Sequence, residues 1–285
     1  MQTARIAVVG HAEHVCLGRL AALPAPGDIV HLAGARTLVG GGGALAFAQL
    51  CRSDAEVRFF TAVGDDDAGR EVQAWLGALG GRVHVARRPT PHPRVVGVVD
   101  AEGRRTLFVT SPPLQPTAGD TLPWEELGDL DAVYFTGDDP ASLRLARGAR
   151  RLVVTARRAD CLRAAGVAAD VLVGSARDPR ENAPLEAYAP PPAALVLTDG
   201  AGPVQVVRPG PRPGAPPAVT HVDAPPAVTS VRCDYGAGDS FAAALAFFVA
   251  HGLPVEEACR RAGPHGAAVL LGEEPLTAQR PLEPP

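Results

Sequence analysis

CDYGAGDSF (233–241) runs directly into AAALAFFVA (242–250), and this junction decides how the 285-residue chain is read. The apolar run is too uniform for a surface helix and reads as a buried one. Small residues in front of it contribute little packing, but they let another group come close to the backbone. A glycine-rich turn entering a helix presents unpaired N–H groups and the positive end of the helix dipole, which together stabilise an anion. Gly236, Ala237 and Gly238 are the candidate anion hole. Asp239, at the helix start, is either a reactive carboxylate or an N-terminal cap.

Outward from this motif the chain alternates. ARIAVVG (4–10), VRFFTAV (57–63), DAVYF (131–135), RLVVTA (151–156), DVLVG (170–174) and ALVLT (194–198) are short, β-branched, apolar runs that end at turn residues, as buried parallel strands do. Between them, GGALAFAQLCR, DAGREVQAWLGALG, PASLRLARGA and ADCLRAAG carry apolar residues at helical spacing. This predicts a doubly wound α/β sheet, with VQVV (204–207) a weaker strand and helices over 238–251 and 254–271. Two extended segments stand outside the alternation. DIVHLAGARTLV (28–39) and RVVGVVDAEGRRTLFVT (94–110), the second a hairpin turning at Ala101-Glu102-Gly103, predict a small accessory sheet. The segment 208–229 is rich in proline and reads as a surface loop. The whole, 1–285, is expected to be a single domain.

Composition narrows the function. A formal net charge of −4, with arginines scattered among acids, argues against nucleic acid as partner. No apolar run reaches membrane-spanning length and the start MQTARIAVVG lacks a long apolar core, so a cytoplasmic protein with no membrane partner is expected. The five cysteines are widely spaced with no CxxC pair, which indicates neither a disulfide framework nor a zinc site and makes buried apolar thiols the expectation.

CDYGAGDSFAAAL resembles the C-terminal signature of the ribokinase-like (PfkB) carbohydrate kinases, commonly Asp-Thr-x-Gly-Ala-Gly-Asp before a helix of small residues. GGGGALAFAQL (40–50) followed by FFTAVGDDDAGREVQAWLGALG (59–80) resembles the family's other signature, and PAPG (24–27) falls where members carry Pro-x-Pro-Gly. The resemblance spans residues 4–272. It implies a Rossmann-like, mostly parallel sheet with a small β-sheet lid, formed here by about 11–39 and 94–110. ATP, with Mg2+ carried on its phosphates, and a sugar or nucleoside-like acceptor would meet at the carboxyl ends of the strands.

The resemblance also implies roles. Asp239 is the base that takes a proton from the acceptor hydroxyl, and the amides of Gly236, Ala237 and Gly238 stabilise the transferring charge. Thr198 and Gly200 resemble the nucleotide-loop Thr-x-Gly, or form a plain strand-ending turn. Ser175-Ala176-Arg177-Asp178 stands where members carry Asn-x-x-Glu, so Ser175 and Asp178 would face ATP and its metal. On the acceptor side, Gly41, Gly42 and Gly43 would let a sugar approach the backbone. Asp138 aligns with an acid that binds sugar hydroxyls, or is a surface-turn residue. Glu13, at the end of the first strand, contacts the acceptor or is, with His11 and His14, a solvated loop residue.

The sequence also departs from the pattern. Val15 replaces an acid two places beyond Glu13, four glycines replace Gly-Gly-Lys-Gly, and Cys233 replaces the first Asp of the C-terminal signature, which in many members helps bind an activating monovalent cation. The altered Ser175/Asp178 and Cys233 positions keep a non-catalytic ligand sensor of the same fold as the alternative function. A nicotinamide-dependent oxidoreductase has only the fold class behind it, since GHAEHV rather than Gly-x-Gly-x-x-Gly follows the first strand. An apolar lid face with Val30, Leu32, Val96 and Val98 predicts a homodimer. With Glu13 and Asp138 on its wall, the acceptor pocket is expected to take an uncharged polyol, sugar or nucleoside.

Overall fold

The computed structural model describes residues 3–212, 214–225 and 227–285. In chain order the elements are β1 (Arg5–Val9), β2 (Glu13–Arg19), β3 (Ala33–Gly40), α1 (Gly42–Leu50), β4 (Glu56–Gly64), α2 (Asp67–Gly77), β5 (Arg82–Arg88), β6 (Arg94–Val99) and β7 (Arg105–Val109). There follow β8 (Ala132–Phe135), α3 (Pro140–Ala146), β9 (Leu152–Thr155), α4 (Ala159–Ala165), β10 (Val171–Ser175), β11 (Leu195–Thr198), β12 (Val204–Arg208), β13 (Ala218–Val222), α5 (Ala237–Ala250), α6 (Val255–Val269) and α7 (Pro275–Ala278).

Among the described residues, nine strands form one sheet in the order β13-β12-β11-β10-β9-β8-β1-β4-β5, parallel except at β12 and β13. Both faces of this sheet are covered, which is why its strands are nearly continuous apolar runs. Along β1, Ile6 and Val8 enter the core layer shared with α1, α2, α5 and α6, while Ala7 and Val9 enter the opposite layer with α3 and α4. Helix α5 lies against α1, α6 and β8, and every residue from Ser240 to Ala250 is buried, so AAALAFFVA is the core helix the sequence predicts.

The second sheet has the order β3-β2-β6-β7, with β2 and β6 parallel and the outer pairs antiparallel. Its inner face, with Val15, Leu17, Leu38, Val95 and Val99, packs on Leu45, Cys233 and Tyr235. The small sheet therefore sits on the turn that leads into α5.

Several boundaries differ from expectation. The chain does not remain in β1 as far as Glu13. It turns after Val9, and Glu13 opens β2, the first strand of the small sheet. β3 starts at Ala33 rather than at residue 28, because Arg19, the last paired residue of β2, lies opposite Ala33 and upstream residues have no neighbour to bond. The proline-rich segment contains a strand: Ala218–Val222 has no proline and pairs with β12 at the sheet edge. On the outer face of the small sheet Val96 and its partner Phe108 are exposed and Val98 is buried, while Val109, opposite Val95 at the sheet edge, and Val30, ahead of β3, are exposed and Leu32 is half-buried. Among the described residues no helix is long and apolar enough to cross a membrane.

Candidate active site

The C-terminal motif folds as its glycines require. Gly236 is the N-cap of α5 with φ 83° and ψ 0°, a left-handed conformation that glycine adopts without strain. The first amides of α5 are thereby turned outward. Ala237 N–H makes only a long contact of 3.5 Å to Asp234 O, and Gly238 and Asp239 N–H have no backbone partner among the described residues. The opening is real space, since no atom lies within 4 Å of where a Cβ on Gly238 would sit. Amides left without partners at a helix start, beside open space, have the geometry to donate to an anion.

The N-terminal motif meets it directly. A Cβ on Gly42 would lie 2.9 Å from Asp239 Oδ1 and 3.5 Å from Thr136 Oγ1, so bare backbone is what lets the glycine turn lie beside the carboxylate. Tyr235 joins the motifs a second time, its hydroxyl accepting a 3.0 Å hydrogen bond from Gly41 N–H. The Cβ positions of Gly41 and Gly43 are taken by His11, at 2.9 Å from its Cδ2 and 2.7 Å from its carbonyl oxygen. The run of glycines is therefore required by protein packed against it, and the space it frees is not simply open to a ligand.

Glu13 is buried nearby, with Oε1 3.7 Å from His11 Nε2. Burial first, and the Asp239 carboxylate second, raise its pKa to about 7, so near neutrality it can both donate to and accept from a hydroxyl. Burial, with Arg158 and His92 nearby, lowers His11 to about 3 and keeps its imidazole neutral. Asp239 is itself raised by burial, an effect opposed by the guanidinium groups of Arg105 and Arg157. A carboxylate with raised pKa, next to unpaired amides, is a stronger base than an exposed one.

Asp138 stands apart from this group. Its carboxylate is exposed and pairs with Arg158 Nη1 at 3.4 Å, while its neighbour Asp139 caps α3 by accepting from Ala141 and Ser142 N–H. The charge that Asp138 was expected to bring to the acceptor pocket is offset by that guanidinium.

The remaining candidates converge at the carboxyl ends of β10 and β11, where Ser175 lies opposite Thr198. Gly200 has φ 57°, and a Cβ there would touch the Arg177 guanidinium at 2.7 Å. Arg177 lies over the turn and donates to Asp199 Oδ1 (2.7 Å) and Asp199 O (2.9 Å). Hydrogen bonds from Arg180 hold the Asp178 carboxyl well below the usual carboxylate range. Arg157, just beyond β9, pairs with Asp178 at 3.3 Å and with the buried Glu181, whose carboxylate accepts from Ser175 N–H at 3.1 Å. The Arg157 guanidinium is also close enough to Asp239 to oppose, after Arg105, the rise in its pKa.

Tyr235, Thr136, Arg157 and Glu181 were not singled out from sequence. Tyr235 occupies the variable position of its motif, and the others reach the cleft only through the sheet order. Glu181 carried the one available signal, an acid three residues beyond Asp178 in the same loop.

Residues 3–278 match the model of the pfkB family carbohydrate kinases. The chain belongs to the PfkB family. Solved structures agree in fold with this family member. The Thermotoga maritima ribokinase superposes with a TM-score of 0.76 at 16% identity, over 98% of this chain and 97% of that one. The Arabidopsis thaliana ribokinase complexed with ribose and ATP gives 0.72 at 16% identity, over 98% and 96%. The Methanocaldococcus jannaschii nucleoside kinase gives 0.71 at 15% identity, over 98% and 95%. A comparison with the curated proteins finds no match. For this PfkB protein the large, mostly parallel sheet with a small second sheet is the family fold.

Proposed function

We propose that the protein is a kinase that transfers the γ-phosphoryl group of ATP to a hydroxymethyl group of a sugar or nucleoside-like small molecule. The observation that carries the reading is the junction of the two motifs: Asp239 lies against Gly42 on one side and directly follows the turn with unpaired amides on the other. Asp239 takes the proton from the acceptor hydroxyl as its oxygen bonds to the γ-phosphorus and the bond to the leaving ADP oxygen breaks. The amides of Ala237, Gly238 and Asp239 meet the charge on the transferring group, and Arg157 approaches it from the nucleotide side. Gly236 shapes this turn as its cap. Glu13, His11 and the Gly41–Gly43 backbone line the acceptor end, and Thr198, Gly200, Ser175 and Asp178 line the nucleotide end.

Among the described residues no group of three or more His, Cys, Asp or Glu side chains could hold a metal ion alone. The oxygen donors near the nucleotide end, Asp178 and Glu181, suit a hard cation that arrives already bound to ATP. Mg2+ would screen the phosphate charges there. The small sheet would act as a lid inserted in one domain spanning 1–285, and water exclusion under it would limit hydrolysis of ATP.

A ligand-binding member without turnover is the second reading. It is favoured by Asp178, which is already engaged by Arg180 and Arg157, and by the buried thiol of Cys233. An ADP-release screen across sugars, nucleosides and vitamins separates the two. Acceptor-dependent ADP production supports the kinase, whereas ligand binding without ADP selects the second reading.

A further inference from the structure

The hairpin of the small sheet is tied to the turn entering α5 by one residue that the motif comparison leaves without a role. Asp234 Oδ1 accepts a 2.8 Å hydrogen bond from Arg105 N–H at the start of β7, and Asp234 Oδ2 pairs with Arg105 Nη1 at 3.2 Å. Asp234 N–H donates in turn to Gly103 O at 2.9 Å. Gly103 has φ 77°, and any Cβ there would collide with the carbonyl oxygen of Val231, so the hairpin tip is seated directly on residues 231–234. The tip is stiff before it docks, because Asp100 accepts from the N–H groups of Glu102 and Arg104 and from Arg104 Nε.

The next residues lead straight into the active site. Tyr235 holds Gly41 N–H, Gly236 caps α5, and Asp239 follows. The Arg105 guanidinium, set by Asp234, is also the leading charge that opposes the raised pKa of Asp239. Both partners of the pair are only partly covered, with side-chain exposures of 38% for Arg105 and 33% for Asp234, so the pair can open without unfolding the core.

We infer that Asp234 is a positioning residue: it latches the lid hairpin to the anion-hole turn through Arg105 and Gly103, and so couples lid closure to the segment that carries Asp239. This inference rests on the kinase reading for its consequence in turnover, but the latch itself is a property of the ligand-free protein.

The experiment has one arm independent of activity. Amide hydrogen exchange is followed by mass spectrometry in the full-length protein and in Asp234→Ala, Asp234→Asn and Arg105→Gln. Losing charge-assisted hydrogen bonds at a partly exposed pair should speed exchange in 94–110 by about tenfold in Asp234→Ala, leaving peptides of α5 beyond Asp239 unchanged. Asp234→Asn, which keeps an acceptor for Arg105 N–H, should fall between the wild type and the Ala variant. If 94–110 exchanges at the wild-type rate in a folded Asp234→Ala protein, there is no latch.

The second arm uses D-ribose and adenosine as probe acceptors. Asp234→Ala should raise the KM for a phosphorylated probe and increase ADP release without acceptor, with the KM for ATP unchanged. A loss confined to kcat, or an equal rise in both KM values, would overturn the coupling. If the wild-type protein releases no ADP with either probe, the kinase reading fails for those acceptors and the exchange arm alone decides the latch.

Discussion

Replacing Asp239 by Asn removes one proton acceptor and almost nothing else. The Asn side chain has the same shape, which matters because Oδ1 lies 2.9 Å from where a Cβ on Gly42 would be, and a longer side chain would displace the glycine turn. Burial raises the Asp239 pKa, so the ionised form of this carboxylate is disfavoured in the folded protein. A neutral amide relieves that penalty, and the melting temperature at neutral pH should stay the same or rise. The amides of Gly238 and Asp239 are unaffected, so nucleotide binding should persist. Turnover should fall at least about 100-fold, equivalent to about 2.7 kcal/mol of transition-state stabilisation, the lower end of what general-base catalysis supplies. The assay is acceptor-dependent ADP release at saturating ATP, with nucleotide affinity measured separately by calorimetry. Near-normal turnover in a folded, nucleotide-binding Asp239→Asn protein would refute the assignment of the base.

Other consequences can be measured alongside. Glu13 has a folded pKa of about 7 against an ordinary value of 4.5, so its ionisation destabilises the fold as pH rises through that window. Glu13→Gln should therefore gain stability relative to wild type between about pH 4.5 and 7, reaching about 3 kcal/mol above it at 1.36 kcal/mol per pH unit, and a pH-independent difference in denaturant unfolding would contradict this. Cys233 is fully buried in the apolar cluster beneath the small sheet, where burial raises its thiol pKa, and a neutral thiol is a poor ligand for a hard monovalent cation. Exchanging sodium for potassium should therefore change the rate little, and a large activation would count against that view. The exposed Val96–Phe108 pair on the outer face of the small sheet should be covered in a homodimer. Light scattering at micromolar concentration should report a dimer that Phe108→Glu disrupts, and a wild-type monomer would exclude it.

The sequence displays this fold wherever a strand is buried on both sides. β1, β4, β8, β9, β10 and β11 are apolar runs because helices cover both faces of the sheet, and they were legible for that reason. The elements that escaped notice are edge or half-covered strands. β5, RVHVARR, and β13, AVTHV, end the large sheet and carry polar residues on an open side, while β2, EHVCLGR, mixes polar residues into a strand of the small sheet. In the site, Asp239 and Gly42 were legible because local chemistry demands them, a carboxylate at a helix start and a residue without a Cβ. Arg157 and Glu181 were not, since their place beside Asp239 depends on which strands lie side by side. Asp138 pairs with Arg158, a neighbour that its local sequence does not reveal.

The central claim is phosphoryl transfer to a small hydroxyl-bearing molecule with Asp239 as base. Its most direct test is the mass of the acceptor after incubation with ATP, measured for a broad set of sugars and nucleosides with both the wild-type and Asp239→Asn proteins. The account predicts that at least one acceptor gains a single phosphoryl group in step with ADP formation, and that the variant forms it at least about 100-fold more slowly. Binding of such a molecule to the wild-type protein, with its mass unchanged in the presence of ATP, would contradict it.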